Sequence, residues 1–523
     1  MNFNKIIKYL LLALFLIGSI GVSAQVSIGR KDSVARGVLD VNNPQGHSNT
    51  MGIVLPKVEN LLDVESVPGE PAVPGTVVYD LNRQGIRLMT AERGWTDVLL
   101  DDEGIKKEIF NILAVGADFK VKYASMGPGH SLCIGQDDNA VYVTGDNSNG
   151  RTGIGRTEGN MPSFTLIFAQ PVVDVSAGSL HSAAVDVSGQ LWVWGNNAAY
   201  RTGLPDLGAD GDVGNTGTPT LVTTDNGITP LFSDNPANST YSTYGKAIQV
   251  EAGWTNTFVL TDKGEVWGVG TGGGTGGSEG SAGVGSSDVT TWTKLTFTEL
   301  PAGEKIVQIS CSGNTAGALS ETGKLWTWGE AGANALGVGN TTDRNTPIQV
   351  TIPGNDPLYM VAMGFAASAA ISADKKHLYT WGNANMHGRG NTAYPSPGEA
   401  PLPGDFNPTV DEITYVAAQR YAYGGLEIIT SKGVYGTGRN TEAQLGIGNV
   451  VTPQTGWVKI NMTGIPLGTV FTGVAKGAGS TILVTGENLS SPESSYVAYG
   501  MGATNFRQLG AVTTPRIPTQ LTK

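Results

Sequence analysis

The sequence predicts an all-β protein, a seven-bladed β-propeller preceded by a small β-meander module. The first observation is a repeat. A stretch of small residues, an aromatic strand and a glycine loop recur seven times, as in LWVWGNNAAYRTG (191–203) and LWTWGEAGANALG (325–337). The second is the spacing of the copies, which is 50, 75, 59, 53, 56 and 64 residues at the glycine after the aromatic strand. Periods of this size are typical of stacked units that bury their apolar faces on one another. The marker glycines are Gly145, Gly195, Gly270, Gly329, Gly382, Gly438 and Gly502.

Composition is the third observation. The chain has 523 residues, of which 74 are glycine and only 15% are charged. This favours a turn-dense β protein over a helical one. The formal net charge of -12 leaves no basic surplus to neutralise phosphates, so neither nucleic acid nor an anionic membrane surface is an expected partner.

Residues 1–24 have the features of a signal peptide. Lys5 and Lys8 precede the apolar run Tyr9–Ile20, and the small residues at 22–24 suit cleavage before Gln25. We therefore expect the protein to be exported, to the extracellular space or the outer cell surface, with the periplasm as an alternative. No later apolar run reaches the roughly 18 residues needed to span a bilayer. The alternative for this segment is an uncleaved membrane anchor over residues 6–20.

Residues 25–100 do not carry the repeat. The string GTVVYDLNRQGIRLMTAERGWTDVL (75–99) alternates apolar and polar positions and contains turn signals at 82–85 and 92–94, which predicts a small β meander. Its succession of motifs resembles a short module found at the front of many secreted bacterial surface proteins. The resemblance implies presentation or attachment. Residues 101–118 form a linker with a possible short helix, acting either as a hinge or as a plug between the modules.

Each repeat from about residue 119 onward divides into short strands. In the second copy the strand PVVDVSAG (171–178) is followed by HSAAVDVSG (181–189) and LWVWG (191–195). Small four-stranded sheets arranged radially make a propeller, because each sheet packs its faces on its neighbours. We expect the tryptophans of the aromatic strands to fill the space between blades.

Several of these strings resemble the regulator of chromosome condensation repeat. They include SAGSLHSAAVDVSGQLWVWGNN (176–197), EAGWTNTFVLTDKGEVWGVG (251–270) and YGTGRNTEAQLGIGN (435–449). The family pattern runs from Ala-Gly through His-Ser, an apolar strand, Asp-x-Gly and Trp-Gly to a loop ending Gln-Leu-Gly. Only His130 and His181 keep the histidine, and the third repeat lacks the second glycine. The resemblance covers about 400 residues and implies a seven-bladed propeller.

The same resemblance bears on function. In the eukaryotic family the propeller exchanges guanine nucleotide on a small GTPase and docks on nucleosomes, and neither role suits an exported acidic chain. A secreted bacterial β-lactamase inhibitory protein with this propeller presents aromatic side chains from the loops of one face. The family therefore implies a binding surface rather than a particular activity.

The C-terminal segment predicts how the ring closes. The string RIPTQL (516–521) resembles the strand that begins a repeat, so we expect it to pair within the blade that contains 119–125 and thereby close the ring.

The two cysteines are not expected to form a disulfide. Cys133 and Cys311 lie in different repeats at different offsets. In a ring, the distance between their Cα atoms should exceed roughly 7 Å, which is the limit for a disulfide bond. Both are expected to be small core residues.

Two sets of residues are candidates for binding. The rim hypothesis uses the loops that follow each Ala-Gly, where aromatic and arginine side chains of the types that dominate protein interfaces should converge on one rim. Its residues are Leu180, Trp254, Phe365, Arg420, Tyr421 and Tyr423. The alternative is that these side chains only cover the mouth of the channel.

The insertion hypothesis uses the long segments 204–246, 271–292 and 391–411. All three follow the Trp-Gly loop of their repeats, so we expect them on one side of the ring, where such insertions commonly bind. Their aromatic residues are Tyr200, Tyr241, Tyr244, Trp292 and Tyr394. Decoration without function is the alternative.

Catalysis has little support in the sequence. The five histidines are scattered without HExxH spacing, there is no Gly-x-Ser-x-Gly elbow, and the two cysteines lack a metal-ligand partner at short spacing. We therefore expect no catalytic residue, metal or cofactor. The favoured function is an exported, non-enzymatic binding or adhesion protein that recognises a protein or glycan at the cell surface, with the N-terminal module attaching it to a surface assembly. The alternatives are a secreted inhibitor of a partner enzyme and a glycan-active enzyme.

Overall fold

The chain forms two compact units, residues 1–116 and 117–523. The computed structural model describes the backbone of six short strands between 57 and 97, and residues 119–521 with short gaps at 156, 158, 169, 205–214, 225–228, 273–280, 422–423, 492–494, 506 and 511–514. The predicted signal peptide and the possible linker helix at 101–118 lie outside the described residues.

The N-terminal unit contains a four-stranded sheet. Three consecutive strands, Val77–Asp80, Gly85–Thr90 and Gly94–Asp97, pair antiparallel with their neighbours in sequence. Lys57–Val58 adds to the outside of the first of them in parallel. The short strands Glu65–Val67 and Glu70–Pro71 form a separate antiparallel ladder.

The second unit is a seven-bladed β-propeller, which confirms the predicted fold class. Each blade is a four-stranded antiparallel sheet. Blade 1 comprises Val121–Met126, His130–Gly135, Val141–Asp146 and Asn160–Phe168. Blade 2 comprises Val172–Ala177, His181–Asp186, Leu191–Gly195 and Thr216–Leu221. Blade 3 comprises Ala247–Ala252, Asn256–Thr261, Val266–Gly270 and Val289–Lys294.

The remaining blades follow the same order. Blade 4 comprises Ile306–Ser312, Thr315–Ser320, Leu325–Gly329 and Arg344–Val350. Blade 5 comprises Leu358–Ala362, Ala367–Ser372, Leu378–Gly382 and Tyr394–Glu399. Blade 6 comprises Ile413–Ala418, Leu426–Thr430, Gly433–Gly438 and Gln454–Lys459. Blade 7 comprises Phe471–Lys476, Ser480–Thr485, Ala498–Gly502 and Thr519–Gln520. Single turns of 3-10 helix are Ser148–Gly150, Ala198–Tyr200 and Pro353–Asn355.

The first strand of every blade lines the central channel. Because strands alternate in direction, the loops after the first and third strands open on one face of the ring, which we call the front face. The loops after the second and fourth strands open on the opposite, back face. The two ends of the channel therefore differ in the loops that surround them.

The core lies between the blades, as the aromatic pattern predicts. Trp194, Trp326, Trp328 and Trp381 are fully buried. Trp328 of blade 4 meets Phe258 of blade 3 edge-to-face, with ring centroids 5.3 Å apart. Burying a large apolar side chain contributes about 1.5 to 3 kcal/mol, so these contacts are a main source of cohesion between neighbouring sheets.

The cysteines are core residues, as expected. Cys133 and Cys311 are both buried free thiols, and each belongs to a different hydrophobic cluster. Burial raises the pKa of Cys311 to about 12, and that of Cys133 further. Neither thiol is therefore poised to react as a thiolate.

The expectation about ring closure is wrong. Thr519–Gln520 pairs with Ala498–Gly502 as the fourth strand of blade 7, and blade 1 is built entirely from its own segment, 121–168. The outer edge of the third strand in blade 7 is open to the C-terminal segment, whereas blade 1 already has four strands. The ring closes instead by packing, because Leu521 lies in one cluster with Phe119 and Val121 of the first blade. The amide of Val121 also donates to the carbonyl of Tyr496 across this junction at 2.5 Å.

Replacing Leu521 with alanine should lower the free energy of unfolding by about 2 to 4 kcal/mol, because it leaves a cavity in the core that joins blade 7 to blade 1. The matched control is Leu467→Ala, since Leu467 is 93% exposed. Chemical denaturation of both variants checks the prediction. Equal stability of the two variants would contradict the role of this core in closing the ring.

Candidate binding face

Side chains of the innermost strands form hydrogen bonds between neighbouring blades along the wall of the channel. Gln249 of blade 3 accepts a hydrogen bond from the Ile309 amide (2.9 Å) and donates one to the Ile309 carbonyl (2.8 Å). Gln308 of blade 4 bonds Val361 of blade 5 in the same way, at 3.0 and 2.9 Å. These bonds satisfy backbone groups at the inner edge of each sheet, where no further strand pairs.

Serine side chains repeat this arrangement closer to the front face. Ser125, Ser176 and Ser310 each accept a hydrogen bond from an amide of the next blade, at 3.0, 2.9 and 3.0 Å. The inner strands of blades 1 to 5 are thus linked from each blade to the next by side-chain hydrogen bonds.

Asp174 occupies in blade 2 the position that Gln249 and Gln308 occupy in blades 3 and 4. Its carboxyl group accepts hydrogen bonds from the amides of Val175 (2.9 Å) and Val250 (2.8 Å). Burial raises the pKa of Asp174 to about 8, although the bond from the Val250 amide opposes the shift. In blade 2, a carboxyl group therefore takes the place of the glutamine side-chain amide found in blades 3 and 4.

Arg420 closes the channel from the front. It leaves the loop after the first strand of blade 6 and turns inward. Its Nη2 donates to the carboxylate of Glu251 (2.7 Å) and to the carbonyl of Ala252 (3.0 Å), and its Nε donates to the carbonyl of Cys311 (2.8 Å). Longer contacts reach Ser125 at 3.4 Å and Ser176 at 3.5 Å. One side chain from blade 6 thus reaches blades 1, 2, 3 and 4.

The electrostatics favour this position. Burial is the largest single influence on Arg420 and works against its charge, but the Glu251 carboxylate together with Tyr421, Cys311 and Tyr123 outweighs it and raises the pKa of the guanidinium above its usual range. Tyr421 follows it inward, and its hydroxyl lies 2.8 Å from the Ala177 carbonyl and 2.9 Å from that of Ala252. Behind Arg420 the channel encloses about 300 Å³, lined by polar side chains that include Tyr123, Asp174, Gln308 and Tyr415.

The predicted rim residues therefore divide into two groups. The expected display on the rim does not hold for Arg420 and Tyr421, because blade carbonyls and Glu251 draw them into the channel. Trp254 and Phe365 do come together on the front face, where their ring centroids are 5.4 Å apart and both side chains are half-buried. Leu180, also half-buried, lies in the corresponding loop of blade 2. We call Leu180, Trp254 and Phe365 the rim patch. Tyr423 lies outside the described residues.

The insertions do not share one side of the ring, so that expectation is wrong. Each long segment contains all or part of the fourth strand of its blade, and this strand carries the chain from the front face to the back face. In blade 2, for example, Thr216–Leu221 separates Leu204 on the front from 229–246 on the back. The segment 271–292 ends within the fourth strand Val289–Lys294, so its described loop residues lie on the front. In blade 5, residues 400–411 follow the fourth strand Tyr394–Glu399 and lie on the back.

The aromatic residues of the insertions serve mainly in packing. Trp292 is 7% exposed and meets Phe232 edge-to-face at 5.5 Å, and Tyr244 packs on Trp267 at 4.6 Å. Tyr394 is covered by the Arg389 guanidinium at 3.8 Å, and Tyr241 lies 5.7 Å from the ammonium of Lys263. Tyr200 is half-buried in the front-face turn after the third strand of blade 2.

The back mouth carries an apolar arc that the sequence interpretation missed. The second residues of four consecutive inner strands are Val173, Ile248, Val307 and Tyr359, which are 45%, 40%, 50% and 47% exposed. The signal lies in strings such as VVDV and IVQI, where an apolar pair opens the strand although only its first member is buried. We call these four residues the back arc.

Comparison with known proteins bears on the repeats. Residues 172–200 and residues 322–371 match the regulator of chromosome condensation (RCC1) repeat. The chain carries RCC1 repeats. The crystal structure of yeast RCC1 (Prp20) bound to Kap60 has a similar fold, with a TM-score of 0.55 and 19% identity over 78% of this chain and 88% of that chain.

Curated relatives with these repeats are eukaryotic. The ultraviolet-B receptor UVR8 of Arabidopsis thaliana is 26% identical over 293 residues, which cover 55% of this chain and 59% of that protein. The RCC1-like G exchanging factor-like protein of Mus musculus is 30% identical over 231 residues, 43% of this chain and 47% of that protein. The chain thus spans about half the length of the curated relatives it matches.

The described residues contain no group of three histidine, cysteine or acidic side chains that could bind a metal ion. No helix in the described part of the chain is long and apolar enough to cross a membrane.

Asp174→Gln should remove a pH-dependent loss of stability. Between about pH 4 and pH 8 the folded carboxyl group binds a proton that the unfolded chain has released, so the stability of the wild type falls as the pH rises through this window. Glutamine can make the bonds that Gln249 makes. The variant should therefore gain about 1 to 3 kcal/mol over the wild type between pH 5 and pH 8. Denaturation at several pH values checks this, and parallel pH profiles would contradict it.

Proposed function

We propose that this protein is an exported, non-enzymatic binding protein whose propeller recognises a protein partner through the rim patch. The observation that supports this most strongly is the pair of tilted rings of Trp254 and Phe365, which are in contact on the front face. The two rings come from blades 3 and 5, and the amide of Phe365 donates to the carbonyl of Gln419 at 2.9 Å. Aromatic side chains fixed on a rigid support are the residues that contribute most to protein interfaces.

The closed channel also supports a role for the rim. Because Arg420 and Tyr421 occupy the front end of the channel, a large ligand approaching this face meets the rim patch and the loops around it. A rigid surface with a few aromatic anchors suits a folded protein, since such surfaces need little rearrangement on binding. The yeast relative is named as bound to Kap60, and the mouse relative is named for exchange-factor activity. A protein partner agrees with both names.

Export is the second part of the proposal. It is supported by Lys5 and Lys8 before the apolar run Tyr9–Ile20 and by the small residues that follow. In this proposal residues 25–100 attach the propeller to a surface assembly. Cell fractionation with N-terminal sequencing tests the export step: a mature chain beginning at Gln25 in the exported fraction supports it, and a full-length chain in the cytosol contradicts it.

The binding test uses the full-length protein as bait on the exported fraction of its source cells. Three baits are compared, namely the wild type, Trp254→Ala with Phe365→Ala, and Val307→Thr with Tyr359→Thr. We expect a partner that the wild type and the back-arc variant retain and that the rim variant loses by at least about tenfold, as for removal of interface anchors. Equal melting temperatures of the baits control for folding.

Two other outcomes would contradict binding through the rim patch. A partner retained equally by all three baits would contradict a site on either mouth. Loss only with the back-arc variant would move the site to the opposite face. If the partner is an enzyme that the wild type inhibits, the protein acts as a secreted inhibitor.

A further inference from the structure

Two consecutive blades carry the same front-face turn. The strings GDNSNGRTG (145–153) and GNNAAYRTG (195–203) align without a gap. Their backbones agree closely: φ is -105° at Asn147 and -104° at Asn197, and -60° at Arg151 and -63° at Arg201. In each turn the asparagine side chain accepts a hydrogen bond from the threonine amide five residues later at 3.1 Å. The turns are therefore structural copies in which side chains can be compared one by one.

The two arginines make the same first two contacts. Nε of Arg151 donates to the Ser148 carbonyl at 3.0 Å, and Nε of Arg201 donates to the Ala198 carbonyl at 2.7 Å. Nη1 of Arg151 donates to the Ser179 carbonyl at 3.0 Å, and Nη1 of Arg201 donates to its counterpart, the Trp254 carbonyl, at 2.8 Å. Each guanidinium thus bridges its own blade to the front loop of the next.

The third contact differs. Nη2 of Arg151 forms an ion pair with Asp146 at 3.2 Å. The residue at that position in blade 2 is Asn196, whose Oδ1 keeps the local bond to the Ala198 amide (2.9 Å) and whose amide nitrogen donates to Asn149 (3.3 Å). No carboxylate among the described residues pairs with Arg201. Its Nη2 has no hydrogen-bond partner within the same described part of the chain.

An unpaired cation is unusual in this environment. Arg201 is 7% exposed and Arg151 is 6% exposed, so the two residues are buried to a similar extent. Burial lowers the pKa of both, to about 10 for Arg201, but only for Arg151 does a carboxylate oppose the shift. A buried charge without a counter-charge is costly, and a carboxylate partner relieves that cost.

The unpaired group lies beside the rim patch. The carbonyl that Nη1 of Arg201 contacts belongs to Trp254, whose ring packs against that of Phe365. Tyr200, immediately before Arg201, adopts φ of +57° where blade 1 has Gly150. A bulky residue in this conformation costs stability. It adds an aromatic side chain to the same part of the front face.

We propose that Arg201 binds the carboxylate of an aspartate or glutamate of the protein that docks on the rim patch, in the place that Asp146 fills for Arg151. This inference rests on the proposed function. A single Nη2 edge offers too few donors to retain a free anion. A carboxylate anchored by neighbouring contacts at Trp254 arrives at high effective concentration, which favours an acidic side chain of a protein. Asn196 is then the residue that keeps the position open.

The test is a selection of random 12-residue peptides on phage against the full-length protein, followed by binding measurements with synthetic peptides. We expect the selected peptides to share an acidic residue. Asn196→Asp fills the site from within, so it should weaken binding by about tenfold, as loss of a desolvated charge pair does. Changing the acidic residue of the peptide to its amide should weaken binding to the wild type equally and should have no further effect on this variant.

Two further variants make the test specific. Asn196→Asp should melt at or above the wild-type temperature, which excludes misfolding as the cause. Asp146→Asn frees Arg151 in blade 1 and should leave the affinity of the selected peptides unchanged, because Arg151 contacts Ser179 rather than the tryptophan loop. Selection of no acidic peptide, or equal binding of acidic peptides to the wild type and to Asn196→Asp, would overturn the inference.

The same peptides separate this inference from the proposed function. Binding that is lost in Asn196→Asp but kept in Trp254→Ala with Phe365→Ala would support the carboxylate site and count against the rim patch. The opposite result would support the rim patch and overturn the role of Arg201.

Discussion

The propeller depends on one buried cation on its axis. The cores lie between neighbouring blades, and no described strand is shared between the first and last blades, so strand exchange does not fasten the ring. Arg420 reaches from blade 6 across the channel to Glu251 and to carbonyls of blades 3 and 4, with longer contacts to blades 1 and 2. Removing a guanidinium from water costs several kcal/mol unless its geometry is well matched, and here a carboxylate and two carbonyls supply that match. The surrounding blades must therefore keep their relative positions for Arg420 to be tolerated.

This constraint distinguishes the front-face residues that hold the ring together from those that are available to bind a partner. Arg420 and Tyr421 make their contacts inside the channel, so Trp254 and Phe365 are the aromatic side chains that remain on the rim. Arg201 is the contrasting case, because it is buried to a similar degree as Arg151 and yet pairs with no carboxylate among the residues that the structure describes. A cation whose contacts are complete stabilises the ring, whereas a cation with one contact missing marks a place for a partner. Comparison of blades within the same molecule provides this distinction without any bound ligand.

The repeat made much of the fold predictable, because alternation, turn glycines and aromatic strands are local signals. The buried tryptophans and cysteines followed from the same pattern. The fourth strands were not predictable, since Thr216–Leu221 and Thr519–Gln520 have no such pattern, and this led to the wrong expectations about the insertions and ring closure. The inward turn of Arg420 depends on carbonyls from other blades. The buried pair of Glu427 and Lys476, 2.8 Å apart, likewise joins residues 49 positions apart in different blades. The difference between Asp146 and Asn196, however, is visible once the two turns are aligned.

The most direct measurement of the central constraint is a double-mutant cycle on the free energy of unfolding, with Arg420→Met, Glu251→Gln and both together. If Arg420 fastens the ring, the single change to methionine should cost about 3 to 5 kcal/mol, since it leaves Glu251 buried without its partner. In the Glu251→Gln background the same change should cost at least about 1 kcal/mol less, because the two residues are directly coupled. A stability of Arg420→Met within about 0.5 kcal/mol of the wild type would show that the ring does not depend on this side chain.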